Sequence, residues 1–197
     1  MYTPNFCAAG CGRQVVTGSA LCAIHSANSE ADVQRLCEYI LRRKVVKDIS
    51  VQGLHFEGMD FSNREYYGCN FAGATFSMCL FTGSVMRMTF FDFSNLSSCD
   101  FSNGDLQFLS FAGSTIYNCT FEGSELLNVN FDGSLITDST FNKTDLCNSR
   151  FIDANIGNSD FIDCNLKRTF FLKSRRENVS FRSSNTAEAI FEMEEFS

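Results

Sequence analysis

The chain contains few of the residues that interrupt regular structure or carry out catalysis. Tryptophan is absent, proline occurs once, and histidine occurs twice, as His25 and His55, among 197 residues. So little proline leaves a backbone hydrogen-bond ladder uninterrupted over nearly the whole chain. No nucleophile is paired with a base and no glycine loop could cradle a phosphate, so the sequence predicts a protein that is not an enzyme.

Long apolar runs are absent as well. No stretch reaches the ~18 apolar residues of a membrane helix, and the N-terminus lacks the basic and apolar pattern of a secretory signal. These absences predict no membrane contact and a cytoplasmic location. With a net charge of −7, direct binding of nucleic acid is not expected.

Phenylalanine is abundant, with 22 residues, and it follows a strict period. From Val51 to Phe171 every fifth residue is bulky and apolar, over 25 consecutive positions. Five matches neither the 3.6-residue period of a helix nor the 2-residue period of a strand, and a fixed repeat of this length predicts a solenoid. The residue two before each bulky one is usually small and predicted to point inward. The residue two after it is usually Gly, Asn or Asp, which suits a left-handed corner.

A 20-residue period contains the shorter one. From Phe91 onward Phe alternates with Leu or Ile, and Ile116, Ile136 and Ile156 recur at this longer period. This pattern predicts a four-sided coil in which each residue type stacks on its own kind, at the ~4.8 Å spacing of strands.

The repeats resemble the pentapeptide repeat protein family, whose unit is a small residue, Asp or Asn, Leu or Phe, and two polar residues. Residues 69–73, 104–108 and 144–148 show this pattern. The resemblance implies an all-β solenoid, a right-handed quadrilateral parallel β-helix of about six 20-residue coils. Cysteines in the small inward slot are predicted to be buried thiols, which favours a reducing compartment; they are Cys69, Cys79, Cys99, Cys119 and Cys164.

Three further segments surround the repeats, which we assign to residues 51–183. Residues 28–50 predict an N-terminal capping helix with an apolar stripe from Val33 to Val45 and basic residues 42–44 in its last turn. Residues 184–197 predict a short C-terminal cap helix, and the resemblance implies a homodimer through it. One side of this helix is predicted to contain Ala187, Ile190, Phe191 and Glu194.

The remaining segment, 1–27, resembles a zinc knuckle. Cys7, Cys11, Cys22 and His25 have the spacing C-x3-C-x10-C-x2-H, which predicts a structural zinc site, because four protein ligands leave no position open for water. Two alternatives remain: ordinary reduced cysteines on an N-terminal arm, or a redox-labile pair.

Two outer surfaces are candidate partner sites. One is an acidic column containing Asp105, Glu125 and Asp145; the alternative is that acids in this slot accept hydrogen bonds from backbone amides. The other is an apolar cluster of residues expected to face outward, unless the segments before Val51 fold over it. Its members are Leu80, Val85, Met88, Phe90, Phe93 and Phe108.

Two functional hypotheses follow. The first is a non-enzymatic protein-interaction or scaffold module that binds a protein partner. The alternative is an acidic DNA mimic that binds and modulates DNA gyrase or another DNA-binding protein, as the resemblance implies for some members of the family. The uninterrupted repeats and the N-terminal knuckle count against a quinolone-resistance role.

Overall fold

The computed structural model describes residues 5–26 and 29–192, and its main body is a parallel β-solenoid of about seven coils. The backbone returns to the same side once in each coil, so that Ile116 pairs with Ile136. Each coil has four sides, and each side contains one bulky residue that points inward. We number the sides 1 to 4, and residues 20 positions apart lie on the same side of successive coils. Sides 1 to 4 contain Leu106, Phe111, Ile116 and Phe121, in that order.

Short strands form on two of the sides. Side 1 contains a four-stranded sheet in the order β1-β3-β5-β7, and side 3 contains a seven-stranded sheet in the order β2-β4-β6-β8-β9-β10-β11. The other two sides, and the later coils of side 1, are joined by single parallel bridges. The strands are β1 Val45–Lys47, β2 His55–Glu57, β3 Glu65–Tyr67, β4 Thr75–Ser77, β5 Val85–Arg87, β6 Asn95–Ser97, β7 Asp105–Gln107, β8 Thr115–Tyr117, β9 Leu135–Thr137, β10 Asn155–Gly157 and β11 Arg175–Glu177.

The interior confirms the predicted stacking of like residues. Phe111 and Phe131 on side 2 stack at 5.0 Å between ring centroids with an interplanar angle of 3°. Phe121 meets Phe131 from side 4 edge-on, at 6.0 Å and 90°. Both geometries are favourable for aromatic quadrupoles, so they add to the stabilisation from burial.

The inward cysteines are buried thiols, as predicted, and none of the ten cysteines forms a disulfide. Cys99 donates its N–H to Cys119 Sγ of the next coil at 3.4 Å and its thiol to the Phe76 carbonyl at 3.3 Å. Burial raises the pKa of Cys69 to about 12, which keeps that thiol protonated and unreactive.

The parallel ladder extends beyond the predicted repeat range at both ends. Val46 lies five residues before Val51 and is fully buried, and β1 pairs with β3, so the first coil begins at Val45. At the other end Ile190 bridges to Phe170, and Phe191 stacks on Phe171 at 5.2 Å.

In the described part of the predicted C-terminal helix, up to residue 192, the structure contains one 3-10 turn, Thr186–Glu188. Ile190 and Phe191 were predicted to lie on one side of that helix, but they continue the ladder because Phe191 keeps the five-residue register. Glu194 lies outside the described residues.

Helix α1, Ser29–Leu41, caps the first coil as predicted, with Leu36, Cys37 and Ile40 buried against the core. The predicted stripe was too long, because the helix ends at Leu41 and Val45 occupies an outward position of β1. The basic residues 42–44 therefore follow the helix and are not in its last turn, as had been predicted. Arg64 from the solenoid instead donates to the carbonyl oxygens of Ile40 and Leu41, both at 3.3 Å, and so satisfies the end of the helix.

Candidate metal centre and interaction surfaces

The four predicted zinc ligands come together at the N-terminus. The sulfur atoms of Cys7, Cys11 and Cys22 and a ring nitrogen of His25 all lie within 4.8 Å of one another. Tight turns bring them together: Gly10 donates its N–H to the Cys7 carbonyl at 2.9 Å, and His25 donates to the Cys22 carbonyl at 3.0 Å.

The spacing of these atoms fits a tetrahedral zinc ion. Zn–S bonds of ~2.3 Å and Zn–N bonds of ~2.0 Å at tetrahedral angles place two sulfurs ~3.8 Å apart and a sulfur ~3.5 Å from a nitrogen. Cys11 Sγ lies 3.7 Å from Cys22 Sγ, and His25 Nδ1 lies 3.4 Å from Cys7 Sγ and 3.6 Å from Cys22 Sγ. The cluster is therefore compatible with zinc in both donor type and separation.

The backbone of the knuckle favours the thiolate form that a metal requires. The Cys22 N–H donates to Cys7 Sγ at 3.4 Å, and this bond is the main cause that lowers the pKa of the Cys7 thiol to about 6. The backbone N–H of Arg13 lowers the pKa of Cys11 in the same way. Hydrogen bonding to the cysteines, Cys7 first, raises the pKa of His25.

The knuckle is fixed to the solenoid through the loop between its two ligand pairs. Thr17 donates its N–H to the Ser50 carbonyl at 2.9 Å, and its hydroxyl oxygen accepts the Ser50 N–H at 2.7 Å. Arg35 of α1 donates to the Thr17 carbonyl at 2.8 Å, and Val16 is completely buried in the core. The knuckle loop therefore extends the ladder of side 2 and caps its first coil.

The predicted acidic column lies on side 1, but its charge is partly neutralised. Asp105, Glu125 and Asp145 are joined by parallel bridges in consecutive coils. Asp105 forms an ion pair with Arg87 and accepts a 2.7 Å hydrogen bond from Gln107. The two long side chains thus shield one of the three carboxylates that a DNA mimic would present.

Asp145 shows that this slot also has a structural use. Its Oδ1 accepts the Cys147 N–H at 3.0 Å, two residues along the chain. Asp60 and Asn70 in equivalent slots accept the N–H of Ser62 and Ala72 in the same way. An acidic or amide residue before the bulky one is therefore explained by the fold itself.

The sequence analysis missed the ion pairs between coils. Arg87 pairs with Asp105 of the next coil, and Arg150 pairs with Asp132 at 2.7 Å over the same sequence separation. The separation is 18 residues because Arg87 follows the bulky Met86, whereas Asp105 precedes the bulky Leu106 of the next coil. A search of the sequence for oppositely charged residues 18 positions apart, at these two positions of the repeat, would have predicted both ion pairs.

The apolar cluster is divided between sides of the solenoid. Leu80 lies on side 4 and Val85 lies on side 1. The six apolar residues that the sequence groups together therefore do not form one surface. The other four residues span side 2 and its two corners, and we call them the apolar ridge. They are Met88, Phe90, Phe93 and Phe108, with 59%, 45%, 73% and 55% of their surface exposed.

The described N-terminal segments do not cover the ridge. They reach side 2 at Ser50 and at Asn70, where the Asn70 side chain donates to Gln14. Phe90 lies one coil further along, so within residues 5–26 and 29–192 the ridge stays open to solvent.

Three ridge residues have an unfavourable backbone conformation. Met88, Phe93 and Phe108 have φ values of 50°, 56° and 57°, in the left-handed region. Most other corners are occupied by Gly, Asn or Asp, which adopt this conformation at low cost. The Phe93 ring lies over the next such corner, where a Cβ on Gly113 would come within 2.6 Å of it.

None of the helices in the described residues is long and apolar enough to cross a membrane.

Comparisons with known proteins identify the repeats. A model described as a pentapeptide repeat region matches residues 114–191, and a model of pentapeptide repeats in eight copies matches residues 67–103 and 94–133. No curated protein sequence matches the chain.

Solved structures with the same repeats resemble the chain only distantly. A trypsin-treated variant of QnrB1, a plasmid-mediated fluoroquinolone resistance protein, is 18% identical with a TM-score of 0.34, over 69% of this chain and 90% of that one. A pentapeptide repeat protein of the Arabidopsis thaliana thylakoid lumen is 20% identical with a TM-score of 0.36, over 52% and 68%. HetL, involved in heterocyst differentiation regulation in Nostoc sp. strain PCC 7120, is 9% identical with a TM-score of 0.35, over 81% and 95%.

The two family models together cover residues 67–191, which is more than half of the chain, and the backbone of that range forms regular four-sided coils. The chain therefore belongs to the pentapeptide repeat proteins.

Proposed function

We propose that the protein is a non-enzymatic interaction module whose protein partner binds the apolar ridge on side 2. One observation supports this function. Large apolar side chains are exposed at corners where the backbone conformation favours Gly, Asn or Asp. A left-handed backbone costs a residue with a Cβ about 1 kcal/mol or more. Fully burying a Met or Phe side chain contributes about 1.5–3 kcal/mol, and since the ridge side chains are about half exposed, a partner that covers one contributes about half of this, which offsets that cost.

The experiment compares which proteins are retained by immobilised variants. Wild type, a Met88→Asn/Phe108→Asn variant and a Met78→Asn variant are exposed to an extract of the cells of origin. Met78 is the matched control, because it is a 55% exposed methionine at a left-handed corner between sides 3 and 4. A partner is retained by wild type and by Met78→Asn and lost from the double variant. If every protein held by wild type is held equally by the double variant, the ridge is not the binding surface.

We also propose that Cys7, Cys11, Cys22 and His25 bind one structural zinc ion. The support is the match between the tetrahedral separations and the sulfur and nitrogen distances above. When bound, the ion would tie the two ends of the knuckle loop together and leave no position for a substrate. The free thiols of the buried cysteines support a reducing, cytoplasmic environment for the chain.

The second candidate is the acidic DNA mimic directed at DNA gyrase. Glu125 and Asp145 favour it, since no ion pair neutralises either one among the described residues. In a supercoiling assay the wild type should inhibit or protect gyrase. The variant Asp105→Asn/Glu125→Gln/Asp145→Asn should lose that effect, and it should keep its fold because Asn accepts the same backbone bond at Asn70. An unchanged effect in the triple variant excludes the column, and no effect of the wild type excludes this function.

A homodimer through the C-terminal end remains part of the proposal. Within the described residues, the last coil lies at the C-terminal end of the solenoid, and its Phe181 and Phe191 side chains are only partly buried. A sedimentation velocity experiment that finds only monomer at high micromolar concentration would exclude it.

A further inference from the structure

A trough crosses side 2 beside the apolar ridge. Its floor is the coil of Gly68, Asn70 and Ala72, whose outward side chains are short. Met88 and Phe90 of the next coil form one wall, and the volume of this open groove is about 620 Å³. The floor belongs to one coil, so the trough runs parallel to the backbone of that coil.

The zinc knuckle limits the trough on the opposite side. Gln14 contacts the Asn70 side chain, and Thr17 is paired with Ser50 in the preceding coil. The coils of Ser50 and Phe90 are two strand spacings apart, or ~10 Å, and the contact of Gln14 with Asn70 narrows the open space between them further. A helix with its side chains is ~10 Å across, so the trough accommodates an extended chain and excludes a helix.

The charge in the trough is negative. Asp48 and Asp92 are among the lining residues, and no basic residue is. The Asp48 carboxylate lies above Gly68, with Oδ1 2.8 Å from the position of a Cβ there, and Asp92 accepts a hydrogen bond from the Ser110 hydroxyl. Neither carboxylate has an ion-pair partner within the part of the chain that the structure describes.

We infer that the trough binds an extended segment of a protein partner in which apolar residues alternate with lysine or arginine. This inference rests on the proposed function and specifies the chemistry of the partner. Alternate side chains of an extended segment point to opposite sides. One set would pack against Met88, Phe90 and Ala72, and a basic residue at the end of the segment would reach Asp48.

The test uses three labelled eight-residue peptides in which leucine alternates with lysine, with glutamate or with serine. Binding is followed by fluorescence polarisation and by the methyl NMR signals of the six methionines. The Leu/Lys peptide should shift the Met88 methyl signal and leave that of Met78 unchanged. It should bind more tightly than Leu/Ser, and Leu/Glu should bind most weakly.

Two variants with matched controls separate the trough from general attraction to an acidic protein. Asp48→Asn should weaken Leu/Lys binding about 2–5-fold, the range of an exposed ion pair. Asp138→Asn should not, although Asp138 occupies an equivalent left-handed corner with the same φ of 53°. Met88→Asn should weaken binding about 10-fold or more, and Met78→Asn should have no effect.

Three results would overturn the inference: no Met88 shift at millimolar Leu/Lys peptide, equal binding of the Leu/Glu peptide, or an equal loss in Asp48→Asn and Asp138→Asn. The proposed function is judged separately. If the peptides fail but the ridge variant still loses a captured partner, only the chemistry assigned to the segment is wrong. If capture does not depend on the ridge, the proposed function itself is wrong.

Discussion

At the residue scale, the small inward slot shows how the solenoid accepts polar groups inside its core. Ser114 and Ser134 on the turn before side 3 are buried, and each donates its hydroxyl to the carbonyl three residues earlier, at 2.6 and 2.7 Å. Ser94 occupies the same slot one coil earlier and is equally buried, but its hydroxyl has no partner among the described residues. Ala74 fills that slot in the coil before. The same slot thus contains two satisfied hydroxyls, those of Ser114 and Ser134, and one unsatisfied hydroxyl, that of Ser94.

This difference gives a paired prediction for stability. Ser94→Ala removes a buried group without a partner and should raise the free energy of unfolding by about 1 kcal/mol. Ser114→Ala removes a hydrogen-bonded hydroxyl and should lower it by about 1 kcal/mol. Urea unfolding of both variants checks the pair. A loss of stability in Ser94→Ala as large as that in Ser114→Ala would show that the Ser94 hydroxyl has a partner.

The outward slot before each bulky residue follows the same logic. Asp60, Asp145 and Asn70 each accept the N–H two residues ahead, so the charge of the two acids is incidental to that bond. Asp145 of the acidic column therefore has an explanation within the fold, whereas the apolar ridge has none.

At the element scale, the knuckle and helix α1 act together as the cap of the first coil. Asp32 of α1 accepts the Ser26 hydroxyl at 2.7 Å and pairs with Arg35 at 2.8 Å, and Arg35 holds the Thr17 carbonyl. Because Thr17 lies between the two pairs of candidate ligands, the metal centre and the capping contacts depend on one loop.

Protein purified without chelator should therefore contain one zinc ion per chain by elemental analysis. Cys22→Ser should remove it and speed amide exchange at Val16 and Thr17, which donate to Leu21 and Ser50. Amides of the central coils, such as Phe121, should stay protected because the coils have their own core. Cys147→Ser is the matched control, since Cys147 lies outside the cluster and should change neither metal content nor exchange.

The pH dependence of zinc binding follows from the lowered pKa of Cys7. Zinc binds thiolates, and protons compete for the same sulfur atoms. With a pKa of about 6 the Cys7 thiol is largely ionised at pH 7, so protons should compete for Cys7 mainly below pH 6, whereas competition at His25, whose pKa is raised, should begin at higher pH. Metal-free wild type, or release that begins well above pH 7, would contradict this account of the knuckle.

At the scale of the whole molecule, the sequence was sufficient to predict the solenoid, but it was not sufficient to predict the structure of its ends or of its surface. The strict five-residue period predicted the four sides and the stacking of Phe111 on Phe131, because a single slip would expose bulky residues. A C-terminal helix was predicted because the local pattern after residue 184 is helical, but in the described part of that segment the stacking of Phe191 on Phe171 prevails.

The candidate sites were predictable to different degrees. Ligand spacing was enough to identify the four residues of the knuckle, since metal ligands lie close in sequence. The division of the apolar cluster between sides follows from the 20-residue period, because Leu80 and Phe90 are ten residues apart and so lie on opposite sides of the coil. The docking of the Thr17 loop on Ser50 joins distant parts of the chain with no repeat to indicate the pairing.

The central claim is that the ridge residues serve a partner and not the fold, and the free energy of unfolding of Met88→Asn tests it most directly. Asparagine suits the left-handed corner that Met88 occupies with φ of 50°, and 59% of that side chain is already exposed. We predict that the variant is about 1 kcal/mol more stable than wild type in chemical denaturation, with a similar gain for Met78→Asn. A loss of about 2 kcal/mol or more in Met88→Asn would show that the side chain holds the coils together, and would contradict the claim.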